Sequence, residues 1–381
     1  MKLRRVILSL LVRRHRIVAV PKELDAKLPK IRNLRRTIDS FTDEEIPVYF
    51  RFRSKEQLHR LMRGFQIPMQ VKLKTGNIFE GEELLLVSLY RLHRPTTLSE
   101  GSFKLIFGMG HTAVSMAFNA FLDFMVDKWS YIIMDNLNFW LPYLPDCAQA
   151  IRDKCLDKGC HFPDARSPGG LRVAAFIDNT MNATCRPGGG PARDGRDAPR
   201  NDPLIQRAWY NGWKKLHGMK YQTLDMPNGM NLHVWGPISV RHNDLTSLRD
   251  SDINQKIVDM QINQPFQWVI YGDSAYVHVP DSHILARHHN ENNTDRQNLE
   301  NKCLSACREC IEWDYGDVGK MWSMVDYKKV LKMQLMPVKN IYLTALILRN
   351  AYVTMNGGTT PEYFNMTPPT FEVWVHQGPN Y

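Results

Sequence analysis

Two acids, each closing an apolar run, are where this chain's chemistry starts. Residues 171–180 read Leu-Arg-Val-Ala-Ala-Phe-Ile-Asp-Asn-Thr, and 173–177 is an unbroken apolar stretch too short for a helix of its own. Pro168-Gly169-Gly170 on one side and Asn179-Thr180 on the other bound it, so a buried central strand ending in Asp178 is predicted. A second apolar strand, Phe-Gln-Trp-Val-Ile-Tyr-Gly at 266–272, ends in Asp273. An acid at the lip of a buried strand is held rigidly. Two such strands side by side bring two carboxylates together, which is a setting for divalent metal. A site sharing two ions needs a third acid from a separate element, expected on the helix after Asp273.

Other chemistries find less support. The seven cysteines are odd in number and irregular in spacing, which speaks against a disulfide framework and for a reducing compartment. Cys303, Cys307 and Cys310 fall on one helical face with Leu299 and lack a fourth ligand of suitable spacing, so helix packing is expected rather than zinc. No serine is framed by nucleophile-elbow glycines. Gly188-Gly189-Gly190 lacks the Gly-Lys-Ser/Thr of a phosphate cradle and opens no helix.

The elements that must position the acids follow from periodicity. A basic arm, 1–45, leads into a helical region, 46–150, then an α/β region, 151–355, and a loosely structured Pro-rich tail, 356–381. In the helical region Ser54 and Gln57 form a capping-box start, 80–93 is a strongly buried helix, and 111–126 is a long amphipathic one. A short segment at 103–107, the break Gly108-Met109-Gly110 and the polar first turn His111, Thr112 and Ser115 outline a helix-turn-helix. Turn-forming residues at 146–170 mark a boundary. Residues 186–203 are a low-complexity loop. Strands at 219–224 and 231–237 are joined by Pro227-Asn228-Gly229, a hairpin signal. Helices are predicted at 245–258, at about 298–313 and at 338–352. The fold class is thus α/β, a mixed sheet flanked by helices with the acid-bearing strands as neighbours, as in ribonuclease-H-like nucleases, preceded by an all-α region.

Charge is localised. Residues 1–36 hold twelve Lys and Arg against Glu23 and Asp25, which accounts for the whole formal net charge of +10. A basic arm on a near-neutral body suggests a polyanionic partner, most often nucleic acid. No transmembrane stretch is predicted, and the short apolar run at 6–12 has no cleavage site after it. Lys214, Lys215 and Lys220 are candidate phosphate contacts. Trp209 and Trp213 are expected in core packing rather than stacked on bases.

Several ordered motifs carry a resemblance. Phe176-Ile177-Asp178-Asn179-Thr180, then the run 208–222 (Ala-Trp-Tyr-Asn-Gly-Trp-Lys-Lys-Leu-His-Gly-Met-Lys-Tyr-Gln), Gly236-Pro237 with Arg241-His242-Asn243-Asp244, Tyr271-Gly272-Asp273-Ser274-Ala275-Tyr276, and Arg308-Glu309-Cys310-Ile311-Glu312-Trp313-Asp314-Tyr315-Gly316 together resemble the PIF/Harbinger transposase nucleases of the DDE superfamily. The resemblance covers about 170–355. It implies that Asp178, Asp273 and Glu312 bind Mg²⁺ or Mn²⁺ and cleave DNA phosphodiester bonds, with joining of the freed strand to target DNA. Thirty-eight residues separate Asp273 from Glu312, room for a loop and a helix. Glu309, one turn earlier, is the rival third acid, and periodicity alone does not choose between them. Asp244 matches an acid common in the family, and the N-cap of the following helix is its other reading. The resemblance further implies a nuclear protein that works with a Myb/SANT-like DNA-binding partner, with no membrane and with room for an oligomer. Asn179 stands where the family usually has glycine, and Lys320-Met321-Trp322 is less basic than usual. These departures admit a second expectation, a catalytically silent DNA-binding or adaptor protein that keeps the fold. A third is an unrelated ribonuclease-H-like nuclease acting on RNA.

Overall fold

The computed structural model describes residues 36–95, 101–188, 203–276, 283–288, 292–333 and 335–376. The basic arm up to residue 35, most of the low-complexity loop and the ends of the chain lie outside them.

The first part of the chain is mostly helical: α1 (Glu45–Phe50), α2 (Lys55–Gly64), α3 (Gly81–His93), α4 (Ser102–Phe107), α5 (His111–Trp129), α6 (Tyr131–Met134) and α7 (Leu144–Asp157). Ser54 caps α2 by accepting from the Gln57 amide, and the Gln57 side chain accepts in return from the Arg53 amide. A hairpin that the apolar pattern did not reveal, β1 (Gln70–Lys72) with β2 (Ile78–Glu80), is added between α2 and α3. Gly108 takes a left-handed conformation (φ 68°) and closes α4, so the chain turns sharply into α5.

The second part is built on one mixed sheet. Its strands are β3 (Val173–Ala183), β4 (Tyr210–Asn211), β5 (Leu216–Asp225), β6 (Asn231–Ser239), β7 (Val269–Tyr271) and β8 (Ile284–Leu285). The order is β4-β5-β3-β7-β8, with β6 also on β5. The β3–β5 and β5–β6 pairs are antiparallel, whereas β3–β7 and β7–β8 are parallel. Flanked by helices, this is a ribonuclease-H-like α/β arrangement behind a mostly helical region. The hairpin turn between β5 and β6 uses Gly229 at φ 79°, where its amide donates to Met226. The strand predicted at 266–272 is shorter, because Phe266-Gln267 feeds a turn held by the Gln261 side chain before Trp268.

The helices of this part are α8 (Pro203–Ala208), α9 (Asp244–Ser251), α10 (Ile253–Met260), α11 (Asp295–Arg308), α12 (Cys310–Met321), α13 (Val338–Asn356), α14 (Thr359–Phe364) and α15 (Phe371–Val375). The single helix expected at 245–258 is two, broken where Asp252 takes φ 53°. The helix expected at 298–313 is also two. It starts earlier, at a Thr294/Gln297 capping box, and is interrupted at Glu309.

β3 reads as a continuous apolar run because both its faces are covered. Val173 and Phe176 face a core with Cys155, Tyr271, Cys303, Cys307, Cys310 and Ile311. Ala175 and Ile177 face a larger core that runs without interruption from Ile38 through the helical region to Val375. α13 is buried on nearly every side and contacts α5, α12 and β6, so it ties the helical region to the sheet. The tail is not loose. Phe371, Trp374 and Val375 are fully buried, and the Phe371 ring meets Phe65 edge-on at 5.4 Å. Two aromatics in a five-residue helix bury enough apolar area to hold a segment whose proline content suggested otherwise.

Candidate active site

Parallel pairing of β3 with β7 sets Phe176 opposite Tyr271. Two residues beyond each partner stand Asp178 and Asp273; Asp178 does not end its strand as predicted, because pairing with β5 carries β3 on to Ala183, whereas Asp273 lies just past the end of β7. Gly272 lets the Tyr276 ring pass over the end of β7. A Cβ there would stand 2.6 Å from that ring and 3.0 Å from the Ile177 side chain. Asp273 then shapes its own turn, accepting from the Ala275 amide at 2.8 Å, and Tyr276 is fully buried.

Asp178 is engaged at both oxygens. Its Oδ1 accepts from the Asn179 amide at 2.7 Å, and its Oδ2 accepts from Arg308 Nη1 at 2.9 Å. Burial pushes its carboxyl up to about 6; Arg308 and the Asn179 amide oppose this, while Asp273 and Asp244 add to it. Asn179, the departure from the family pattern, donates its side-chain amide to the Tyr276 hydroxyl at 2.8 Å. It therefore braces the turn behind Asp273 instead of projecting freely into the site.

Glu312 sits in the first turn of α12, and its side chain is 63% exposed. Arg308, four residues earlier, reaches it with Nη2 at 3.8 Å while holding Asp178 with Nη1. One guanidinium thus stands between the first and third expected acids. Glu309, the rival third acid, is exposed and stands at the break between α11 and α12. Arg308 is the site residue that reading by acids passed over. Its i,i+4 spacing to Glu312 was the available signal.

Asp244 is not the N-cap of α9. Asn243 takes that role, accepting from the Thr246 amide, and Asp244 occupies the first turn. There it accepts from Lys220 Nζ at 2.9 Å. Lys220 itself is 3% exposed and also donates to the His242 carbonyl, so the structure does not leave it on the surface as a phosphate contact. Its position on an inward-facing row of β5 buries it, and Asp244 neutralises it. Lys214 and Lys215 are exposed at the β4–β5 turn. Trp213 beside them is 89% exposed, contrary to the expected core packing. At the start of α5, His111 and Thr112 are exposed, whereas Ser115 is half-buried beside a cavity of about 150 Å³ also lined by Arg91 and Phe118.

Carboxylate oxygens from β3, the turn after β7 and a helix suit Mg²⁺ or Mn²⁺ in kind. In placement, Asp178 and Asp273 adjoin, but Glu312 is held across Arg308. Among the described residues no group of three or more His, Cys, Asp or Glu side chains stands ready to hold a metal ion. That includes the cysteines, which are free and, apart from the half-buried Cys185, packed in the apolar core. Among the described residues no helix is long and apolar enough to cross a membrane.

No curated protein and no solved structure matches this chain. Residues 194–350 match the family described as DDE superfamily endonuclease, a span that takes in Asp273, Arg308 and Glu312 and begins after Asp178. Sheet order and family match together support, at the level of the family, a nuclease fold of the DDE superfamily.

Proposed function

We propose that this chain is a metal-dependent DDE endonuclease of the Harbinger type, acting on DNA in the nucleus. The observation that carries the reading is the pairing of β3 with β7, which leaves Asp178 and Asp273 each two residues beyond the paired Phe176 and Tyr271, with Glu312 turned to the same guanidinium as Asp178. Asp178, Asp273 and Glu312 are the residues that would hold Mg²⁺ or Mn²⁺. When bound, such an ion supplies positive charge at the phosphate and a more acidic water or 3′-hydroxyl. The rigid β3 and the turn after β7 would fix where those charges sit, and the buried setting of Asp178 would strengthen its pull on them. The basic arm, the first turn of α5 with His111 and Thr112, and the exposed Lys214 and Lys215 would contact phosphates, so binding is expected to weaken steeply with salt. A Myb/SANT-like protein is the partner this reading brings with it for recognition of transposon ends.

The test is nicking of plasmid or transposon-end DNA in Mg²⁺ or Mn²⁺ by the full chain and by Asp178→Ala. Cleavage by the first and not the second is expected. Equal cleavage by both rejects the assignment. One observation favours a second reading, a silent DNA-binding or adaptor protein: Arg308 already neutralises Asp178. Tight DNA binding without nicking in either metal would select it.

A further inference from the structure

The nuclease reading gives Lys214 and Lys215 phosphates to meet but leaves the exposed tryptophan beside them unexplained. Residues 203–243 contain a single acid, Asp225, and it is buried, accepting from Thr223 and Asn231. The same span carries Arg207, Lys214, Lys215 and Arg241, all exposed. An exposed tryptophan, Trp213, stands at the tip of the β4–β5 hairpin in the middle of this cationic stretch.

The hairpin is built rather than loose. Tyr210 pairs with His217 and Asn211 with Leu216, leaving Gly212-Trp213-Lys214-Lys215 as the turn. Asn211 anchors it twice, donating to the Val240 carbonyl at 2.7 Å and accepting from the Lys214 amide at 2.8 Å. Lys215 takes φ 52°, which closes the turn. The Tyr210 ring lies 4.9 Å from the His217 ring, and burial and then Arg186 hold that imidazole below its usual pKa. One aromatic pair, Tyr210 with His217, thus stands at the base of the turn that carries Trp213. Solvating an indole this fully is unfavourable, and nothing in the local packing requires it.

We infer that Trp213 stacks on an unpaired base of bound DNA, with Lys214 and Lys215 neutralising the phosphates on either side of it. An aromatic platform between cations is what a single-stranded segment needs: every base offers a flat face, and each nucleotide carries one charge. Inside a duplex every base face is already covered by its neighbours, so a flat indole finds one only at the terminal pair. The register fixes the reach. Thr223 lies opposite Asp178, and from Thr223 to Leu216 the strand runs roughly 23 Å at ~3.3 Å per residue. The hairpin tip thus meets DNA flanking the cleaved bond rather than the bond itself. The inference rests on the nuclease reading for its ligand, DNA, but not on cleavage.

The test is fluorescence anisotropy with the full chain in EDTA, comparing a blunt duplex with the same duplex carrying a short oligothymidine tail. The wild-type protein is expected to prefer the tailed probe. Trp213→Ala is expected to lose roughly 5- to 150-fold on the tailed probe and to bind the blunt one as before, and Trp213→Phe to recover most of the loss. Lys214→Gln is expected to weaken both probes and to flatten the salt dependence by about one unit of slope. An unchanged melting curve for Trp213→Ala shows that the fold is intact, as its exposure predicts. Equal binding of the tailed probe by wild type and Trp213→Ala overturns the inference and leaves Trp213 as a protein-docking anchor. An equal loss on both probes overturns it too. Lost tail preference in a protein that never nicks DNA upholds this inference while rejecting the enzyme.

Discussion

Replacing Arg308 by methionine tests the candidate site at its centre. Arg308 and Asp178 are only 16% and 17% exposed as side chains, and their hydrogen bond is 2.9 Å long. A charge-assisted bond of this kind contributes about 1.5–3 kcal/mol. Removing one partner of a fully buried pair costs about 3–5 kcal/mol, because the other charge is stranded. Asp178 has a way out that limits this cost. With its carboxyl already near 6, it takes up a proton at neutral pH for roughly 1–2 kcal/mol. Arg308→Met is therefore expected to lose about 1.5–3 kcal/mol of stability in EDTA, read by guanidinium denaturation. Both Asp178 oxygens are occupied, by the Asn179 amide and by Arg308, so a divalent ion must displace the guanidinium to reach Oδ2. The variant should then bind Mn²⁺ more tightly than wild type, by roughly 10- to 150-fold if the whole bond energy is released. Mn²⁺ titration followed by electron paramagnetic resonance at mildly alkaline pH, where proton competition is small, reads this directly. Added Mn²⁺ should also restore the lost stability. Wild-type affinity equal to or above that of the variant would refute the reasoning, since Arg308 would then support the ion instead of competing with it.

Two further outcomes follow from the packing around the site. Asp225 at the end of β5 and Asp314 of α12 lie near Arg349, which is hydrogen-bonded to Asp314, and burial pushes their carboxyls up to about 7 and about 6. Both values exceed the ordinary carboxylate value of an unfolded chain, so the folded protein holds these protons more tightly. Their contribution is fully present below about pH 4 and is lost as pH rises through about 6 and 7. Chemical denaturation across that range should show falling stability, and Asp225→Asn should flatten the fall. Gly272→Ala should cost about 1–3 kcal/mol in the same assay, because its Cβ collides with Tyr276 and Ile177. Its loss should exceed that of Gly212→Ala, where a Cβ meets nothing.

Much of the fold was written in short-range pattern. The apolar run 173–177, the Pro227-Asn228-Gly229 turn and the long amphipathic stretches depend on neighbours a few residues apart, so periodicity finds them. Element breaks were less legible. Asp252 and Glu309 interrupt helices whose apolar spacing continues across them, and Phe371 and Trp374 fold a tail whose prolines pointed the other way.

The site divides along the same line. Residue type and spacing alone determined that Asp178 and Asp273 would each follow a buried apolar strand segment, because an apolar run closed by an acid is a local signal; that β3 runs on past Asp178 to Ala183 was decided by its pairing with β5. Only the tertiary structure decided what surrounds them. It put Arg308 between Asp178 and Glu312, buried Lys220 against Asp244, and raised Trp213 into solvent. Each of these depends on which distant segment supplies the opposing charge or the covering side chain. Neither ion pairing nor exposure is periodic, so no window of sequence contains them.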